Sequence, residues 1–260
     1  MPYTTSGGTR IYWEESGAGE PLLLIMGLGY PHEMWFRTRP VVSEKYRTIL
    51  FDNRGVGKSD VPEGAYSLPQ MAADAAAVLD AAGVEKARIF GISMGGMIAQ
   101  EFALNYPDRV NRLVLGCTSC GGSNGIPAAQ KVLDVLMARA RMTPEEGAQA
   151  MVPYIYDGST PRDRIEEDLA IRRSCYPTAA GYLGQLQAIL AWTSFDRLAG
   201  LRAPTLIIHG ESDQLIPAGN APILEQAIAG SRMLMLPNAS HIFVTDQPEV
   251  SHREILKFLI

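Results

Sequence analysis

The chain has 260 residues, 47% of them apolar and 20% charged, with 23 Lys and Arg against 28 Asp and Glu for a formal net charge of −5. This balance excludes a disordered chain, and an acidic chain with no run of Lys or Arg longer than a pair lacks the basic surface that nucleic acid or an anionic membrane requires. The densest apolar run, residues 22–26, is far short of the roughly 20 residues that cross a bilayer, and three unpatterned cysteines behind an N-terminus without a leader pattern make a cytoplasmic location the expectation.

In chain order, polar and apolar residues mix over 10–14 as in a half-buried strand, and short continuous apolar runs at 22–25, 48–51, 87–90, 113–115 and 205–208 predict strands buried on both faces. A last short strand is expected at 233–236. Helical patterns fall between the strands at 68–82, 94–106, 220–229 and 249–258, the second stopped by Pro107. Strand and helix in alternation predict a doubly wound, mostly parallel α/β sheet. The rhythm breaks over 121–200, where only helical patterns occur, at 130–141, 144–154, 162–175 and 179–192. The expected organisation is a core domain of residues 1–120 and 201–260 with an all-helical cap formed by 121–200.

Directly after the run at 87–90 stands Gly91-Ile92-Ser93-Met94-Gly95-Gly96, followed by a helical pattern. A serine framed by glycines between strand and helix sits on a sharp turn whose neighbours come too close for a β-carbon. There the helix N-terminus and the Met94 N–H can stabilise an oxyanion. A serine hydroxyl is a poor nucleophile at neutral pH, so it needs a base and an acid that orients the base. Two loops at strand C-terminal ends offer them, where sites collect in open α/β sheets. One is His209-Gly210-Glu211-Ser212-Asp213-Gln214-Leu215-Ile216-Pro217, in which the G-x-x-D-x-x-I-P spacing favours Asp213 over Glu211, and the other ends in Asn238-Ala239-Ser240-His241. His241 is the expected base, His209 is expected to pack or hydrogen-bond at its strand end, and His252 to be solvated. The loop Met26-Gly27-Leu28-Gly29 makes the Leu28 N–H the second oxyanion donor. Cys117 and Cys120 form a C-x-x-C without the second Cys or His pair that a metal site would need, so no metal is expected.

These ordered motifs, together with Asp52-Asn53-Arg54-Gly55-Val56-Gly57-Lys58-Ser59-Asp60, resemble the α/β-hydrolase fold superfamily over almost the whole chain. Met26 departs from the usual histidine of the oxyanion loop, although the donor there is a backbone N–H. The resemblance implies that Asp52, Arg54 and Ser59 buttress the site. A serine at the turn sets the chain apart from the branches that use an aspartate nucleophile, and the Gly-Ile-Ser-Met-Gly-Gly and His241 segments look most like the carboxylesterase and 3-oxoadipate enol-lactonase-like group. The implied activity is cleavage of a small-molecule ester or lactone through an acyl-enzyme, without cofactor. Carbon-carbon bond hydrolysis, cofactor-free perhydrolysis and a non-catalytic receptor on the same fold stay open as alternatives, and so does a homo-oligomer. His32, near the oxyanion loop, and Met137, Tyr182 and Trp192 in the cap are the pocket candidates. Arg172 and Arg173 are the cations available to a substrate carboxylate, against the alternative that both are exposed helix charges.

Overall fold

The computed structural model describes residues 2–260. Eight strands, β1 (Tyr3–Ser6), β2 (Thr9–Ser16), β3 (Glu20–Ile25), β4 (Tyr46–Phe51), β5 (Ala87–Ile92), β6 (Val110–Gly116), β7 (Thr205–Gly210) and β8 (Arg232–Leu236), form one sheet in the order β1-β2-β4-β3-β5-β6-β7-β8. The pairs β1/β2 and β2/β4 are antiparallel and every pair from β4 to β8 is parallel. The helices are α1 (Arg39–Ser43), α2 (Leu68–Ala81), α3 (Met94–Asn105), α4 (Gln130–Ala138), α5 (Pro144–Ala150), α6 (Val152–Ile155), α7 (Arg162–Ser174), α8 (Ala179–Leu190), α9 (Asn220–Ala227), α10 (Phe243–Asp246) and α11 (Pro248–Leu259).

The continuous apolar runs are explained by a core on each face of the sheet. Because strand side chains alternate, Leu23 and Ile25 point into one core with Ile98 and Phe102 of α3, while Leu22 and Leu24 point into the other with Ile255 and Phe258 of α11. β1 was not among the expected strands. Its four residues, Tyr-Thr-Thr-Ser, alternate between exposed and half-buried at the sheet edge and leave no apolar signature.

Among the described residues, 121–200 contributes no strand to the sheet; one isolated bridge joins Gly121 to Thr193. Its helices carry a small core of their own, with Met151, Ile155, Ile165 and Leu169, against which Leu28, Leu215 and Ile242 of the sheet loops pack.

At the end of β5 the chain turns through Ser93 at φ 57°, ψ −125° and enters α3 at Met94. A β-carbon at Gly95 would collide with the Ile25 carbonyl at the end of β3, and one at Gly91 with the Gly95 carbonyl. The loop after β4 is tied down by Arg54, which donates to both carboxylate oxygens of Asp74 on α2 at 2.7 Å, the two residues being fully buried. Removing one member strands a buried charge, so Asp74→Leu should lower the unfolding free energy by about 3–5 kcal/mol in urea titrations, whereas the double change Arg54→Met with Asp74→Leu should recover most of that loss. Equal losses in the single and double variants would show that packing, not the stranded charge, dominates.

Candidate active site

The loops at the C-terminal ends of β3, β5, β7 and β8 meet around a cavity of about 600 Å³ whose wall is mostly aliphatic, including Met26, Ile92, Met97, Leu133, Leu186 and Ile189. Ser93 and His241 both line it. Behind the imidazole, Asp213 Oδ2 lies 2.8 Å from His241 Nδ1. The other oxygen, Oδ1, accepts from the backbone N–H groups of Leu215 and Ile216 at 2.9 Å each, so the carboxylate is held on both sides. Glu211, two positions earlier, is exposed. His209 Nε2 donates to the Ile216 carbonyl at 2.8 Å, and that nitrogen is 3.2 Å from Asp213 Oδ2, so it braces the loop as expected of a strand-end residue.

The electrostatics bind the pair together. Burial opposes charge on Asp213, but His241 and His209 outweigh it and hold its carboxyl below the ordinary range. Burial likewise opposes charge on His241; the adjacent Asp213 carboxylate, helped by the Cys117 thiol, overcomes it and lifts the imidazole above the usual histidine value.

Leu28 and Met94 also line the cavity, and neither N–H has a hydrogen-bond partner among the described residues. The Leu28 loop is held from both ends. Asn53 Nδ2 donates to the Met26 carbonyl at 3.0 Å, and the Gly29 N–H donates to Gln185 Oε1 at 2.8 Å. Gln185 in turn donates from Nε2 to the Arg54 carbonyl at 2.8 Å, so one buried amide on α8 ties this loop to the one after β4. Asp52 and Ser59 are structural as expected: Asp52 accepts from the His32 and Lys58 N–H groups at 2.8 Å, and Ser59 Oγ donates to the Asp52 carbonyl at 2.6 Å.

Three of the four pocket candidates are corrected. His32 is buried against Asp52, 2.6 Å from Nδ1 to Oδ1, and does not line the cavity; burial disfavours its charge, but the acids around it raise its pKa overall. Tyr182 packs behind the Leu28 loop, against Gly29, and donates to the Leu136 carbonyl at 2.9 Å. Trp192 is turned into the main core, where its indole donates to Glu101 Oε1 at 2.7 Å. Aromatic residues at helical spacing packed inward here because each had a polar partner away from the cavity. Met137 does line the cavity and is 54% exposed. His252 is also corrected: it is buried, with Nε2 3.1 Å from Thr38 Oγ1.

Sequence reasoning missed Gln185, whose role rests on contacts with residues far away in the chain, and Arg139, which closes the cavity wall beside Arg172. Arg173 instead pairs with Glu145 at 3.3 Å on the outside. Among the described residues, the one group of metal-ligating side chains close enough to share an ion is His32, Glu33 and Asp52; both Asp52 oxygens are already taken by donors of the chain.

The alignment of residues 20–155 and 160–248 with the α/β-hydrolase fold family places this chain in that family. It is 32% identical over 266 residues to RutD of Azorhizobium caulinodans, a candidate carbamate hydrolase, covering 99% of this chain and 98% of the relative. It is 32% identical over 242 residues to a poly(3-hydroxyalkanoate) depolymerase of Ectopseudomonas oleovorans, covering 92% and 84%. Among solved structures, the enol-lactonase of Burkholderia xenovorans LB400 superposes with a TM-score of 0.87 at 26% identity over 99% of both chains.

If the Asp213 carboxylate sets the His241 titration, NMR of the imidazole should give a midpoint above the ordinary value of about 6.5, falling in Asp213→Asn. A midpoint unmoved by that substitution would contradict the coupling.

Proposed function

We propose that this protein is a serine hydrolase of carboxylic esters or lactones. The observation that carries the reading is the Asp213–His241 pair opening onto the same cavity as Ser93, where two backbone N–H groups have no partner. Ser93 Oγ attacks the acyl carbon while its proton passes to His241 Nε2, and Asp213 holds Nδ1–H so that Nε2 is the basic nitrogen. The carbonyl oxygen becomes an oxyanion between the Leu28 and Met94 N–H groups, with the α3 N-terminus adding its positive field. The tetrahedral intermediate collapses, the carbon–oxygen bond to the alcohol breaks, and His241 returns its proton to the departing oxygen. Water then gives a proton to His241 and attacks the acyl carbon, and the bond to Ser93 Oγ breaks as His241 returns that proton to Oγ, releasing the carboxylic acid and restoring Ser93.

Segment 121–200 acts in this reading as a cap that sets substrate choice without supplying a reacting group, since Met137, Leu186, Ile189, Arg139 and Arg172 of the segment line the cavity while the nucleophile, base and acid of this reading all stand on the sheet loops. The names of the relatives, a candidate carbamate hydrolase, a polyester depolymerase and an enol-lactonase, share acyl transfer to water, and this supports the reaction class.

Treatment with a fluorophosphonate should give a single adduct on the Ser93 peptide and abolish aryl-ester turnover, with no adduct in Ser93→Ala. A folded protein that neither labels nor turns over an aryl ester would point to a receptor instead. Asp213→Asn should lower kcat by about three to four powers of ten, because the imidazole would then be held in the wrong tautomer; Glu211→Gln should stay within the same order as the unmodified enzyme. The raised His241 pKa also fixes a sign: the imidazole keeps its proton to higher pH, so the neutral base emerges late and kcat/KM should climb through a midpoint above about 6.5. A profile already flat above pH ~6 would contradict it.

A further inference from the structure

Two guanidinium groups stand in the wall of the catalytic cavity without a carboxylate. Arg139 follows α4 and Arg172 lies in the last turn of α7; they are 4% and 5% exposed, and both line the cavity. Neither forms a salt bridge among the described residues, and the Nε atom of each is buried with no hydrogen-bond partner. Their neighbours are aromatic. Arg139 donates to the Tyr30 hydroxyl at 2.7 Å and lies over the rings of Tyr30, Tyr176 and Tyr182, and the Arg172 guanidinium carbon is 4.5 Å from the Tyr30 ring centroid. Asp168, the acid whose field reaches Arg172, is already engaged by Arg37 Nε at 3.1 Å, the Tyr156 hydroxyl at 2.9 Å and the Thr245 hydroxyl at 2.7 Å. Among the described residues no acid pairs with Arg139; the Tyr30, Tyr182 and Tyr176 groups around it favour its charge, while burial and the neighbouring Arg172 oppose it.

Aromatic faces attract a cation, but more weakly than water does, so two like charges withdrawn from solvent side by side are unfavourable unless an anion joins them. The place for that anion is the cavity. Tyr30, which both arginines contact, stands two residues after Leu28, so the cation pair is anchored next to the reacting end of the cavity.

We propose that Arg139 and Arg172 form a carboxylate-binding subsite, and that the ester or lactone hydrolysed at Ser93 carries a free carboxylate. A planar guanidinium matches a carboxylate with paired N–H donors, whereas the aliphatic remainder of the wall accepts the chain between carboxylate and acyl group. This specificity rests on the hydrolase reading above.

The test compares two matched ester pairs. On the acyl side, p-nitrophenyl hydrogen adipate is set against p-nitrophenyl hexanoate; on the leaving-group side, para-hexanoyloxybenzoate is set against its methyl ester. Rates without enzyme are subtracted in each case. In at least one pair the carboxylate member should be preferred in kcat/KM by about tenfold or more, and in Arg139→Gln that preference should collapse through a higher KM for the charged member. Because Arg172→Gln could fail to fold, a second measurement uses the unmodified protein: adipate should slow fluorophosphonate labelling of Ser93 at concentrations where hexanamide does not, and Arg139→Gln should lose the protection. Turnover of neutral esters and labelling of Ser93 with no preference in either pair and no protection by adipate would overturn the subsite and leave the hydrolase reading standing. Protection by adipate with no ester hydrolysed would do the reverse. Equal loss of charged and neutral esters in a folded Arg139→Gln would assign the arginine to structure alone and overturn the proposal.

Discussion

The turn from β5 into α3 leaves no room for a β-carbon at Gly91 or Gly95, because the first residue of the turn packs on its fifth and that fifth packs on the carbonyl at the end of β3. This contact holds Ser93 at φ 57°, a backbone region that is unfavourable for a side chain by about 1–3 kcal/mol and persists only where the surroundings enforce it. The same contact fixes the spacing between the two loops that carry Leu28 and Met94: a β-carbon on Gly27 would be 3.1 Å from that of Ser93. Ser93, the Leu28 loop and the helix N-terminus are therefore one packed unit, and the strain at Ser93 is carried by the two cores on either side of the sheet.

The remaining loops are held differently, by polar ties to the helical segment. Asp157 accepts from Ser212 Oγ at 2.6 Å, next to Asp213 in sequence. Asp246 accepts from the Ser240 N–H at 2.6 Å and from Thr160 Oγ1 at 2.6 Å, next to His241. The Ile242 N–H donates to the Ile155 carbonyl at 2.9 Å, and Ile242 and Leu215 pack on the same apolar cluster as Leu28. Burial pushes the Asp246 carboxyl up to about 6 despite these donors, which marks how fully this tie is removed from water. A segment that contributes no strand thus sets the position of both the loop that carries Asp213 and the loop that carries His241.

Much of this was legible in the sequence because it depends on local chemistry. Continuous apolar runs identify strands buried on both faces, G-x-S-x-G identifies a turn that only glycine allows, and the spacing before Pro217 separates Asp213 from Glu211. What was not legible depends on partners distant in the chain. Tyr182 and Trp192 have the periodicity of pocket residues, and only the positions of Leu136 and Glu101 turn them inward. Gln185 looks like any helical glutamine until Gly29 and Arg54 are brought to it from more than a hundred residues away. β1 escaped because an edge strand with one half-exposed face has no apolar run to show.

The buried charges show where the molecule departs from its own rule. Asp74 is matched by Arg54, Glu101 by Arg197 and Trp192, Asp168 by Arg37 and two hydroxyls, and Asp213 by His241 and two backbone N–H groups. Each pairing offsets the loss of hydration that burial imposes. Arg139 and Arg172 are the exceptions among the buried arginines, and they lie in the wall of the cavity rather than in either core. Structural need does not account for them, since an aliphatic side chain would pack among Tyr30, Tyr176 and Tyr182 without giving up any hydration. Charge retained at such a position in a protein that satisfies its other buried ions belongs with function, because a local rule is broken where a ligand restores it.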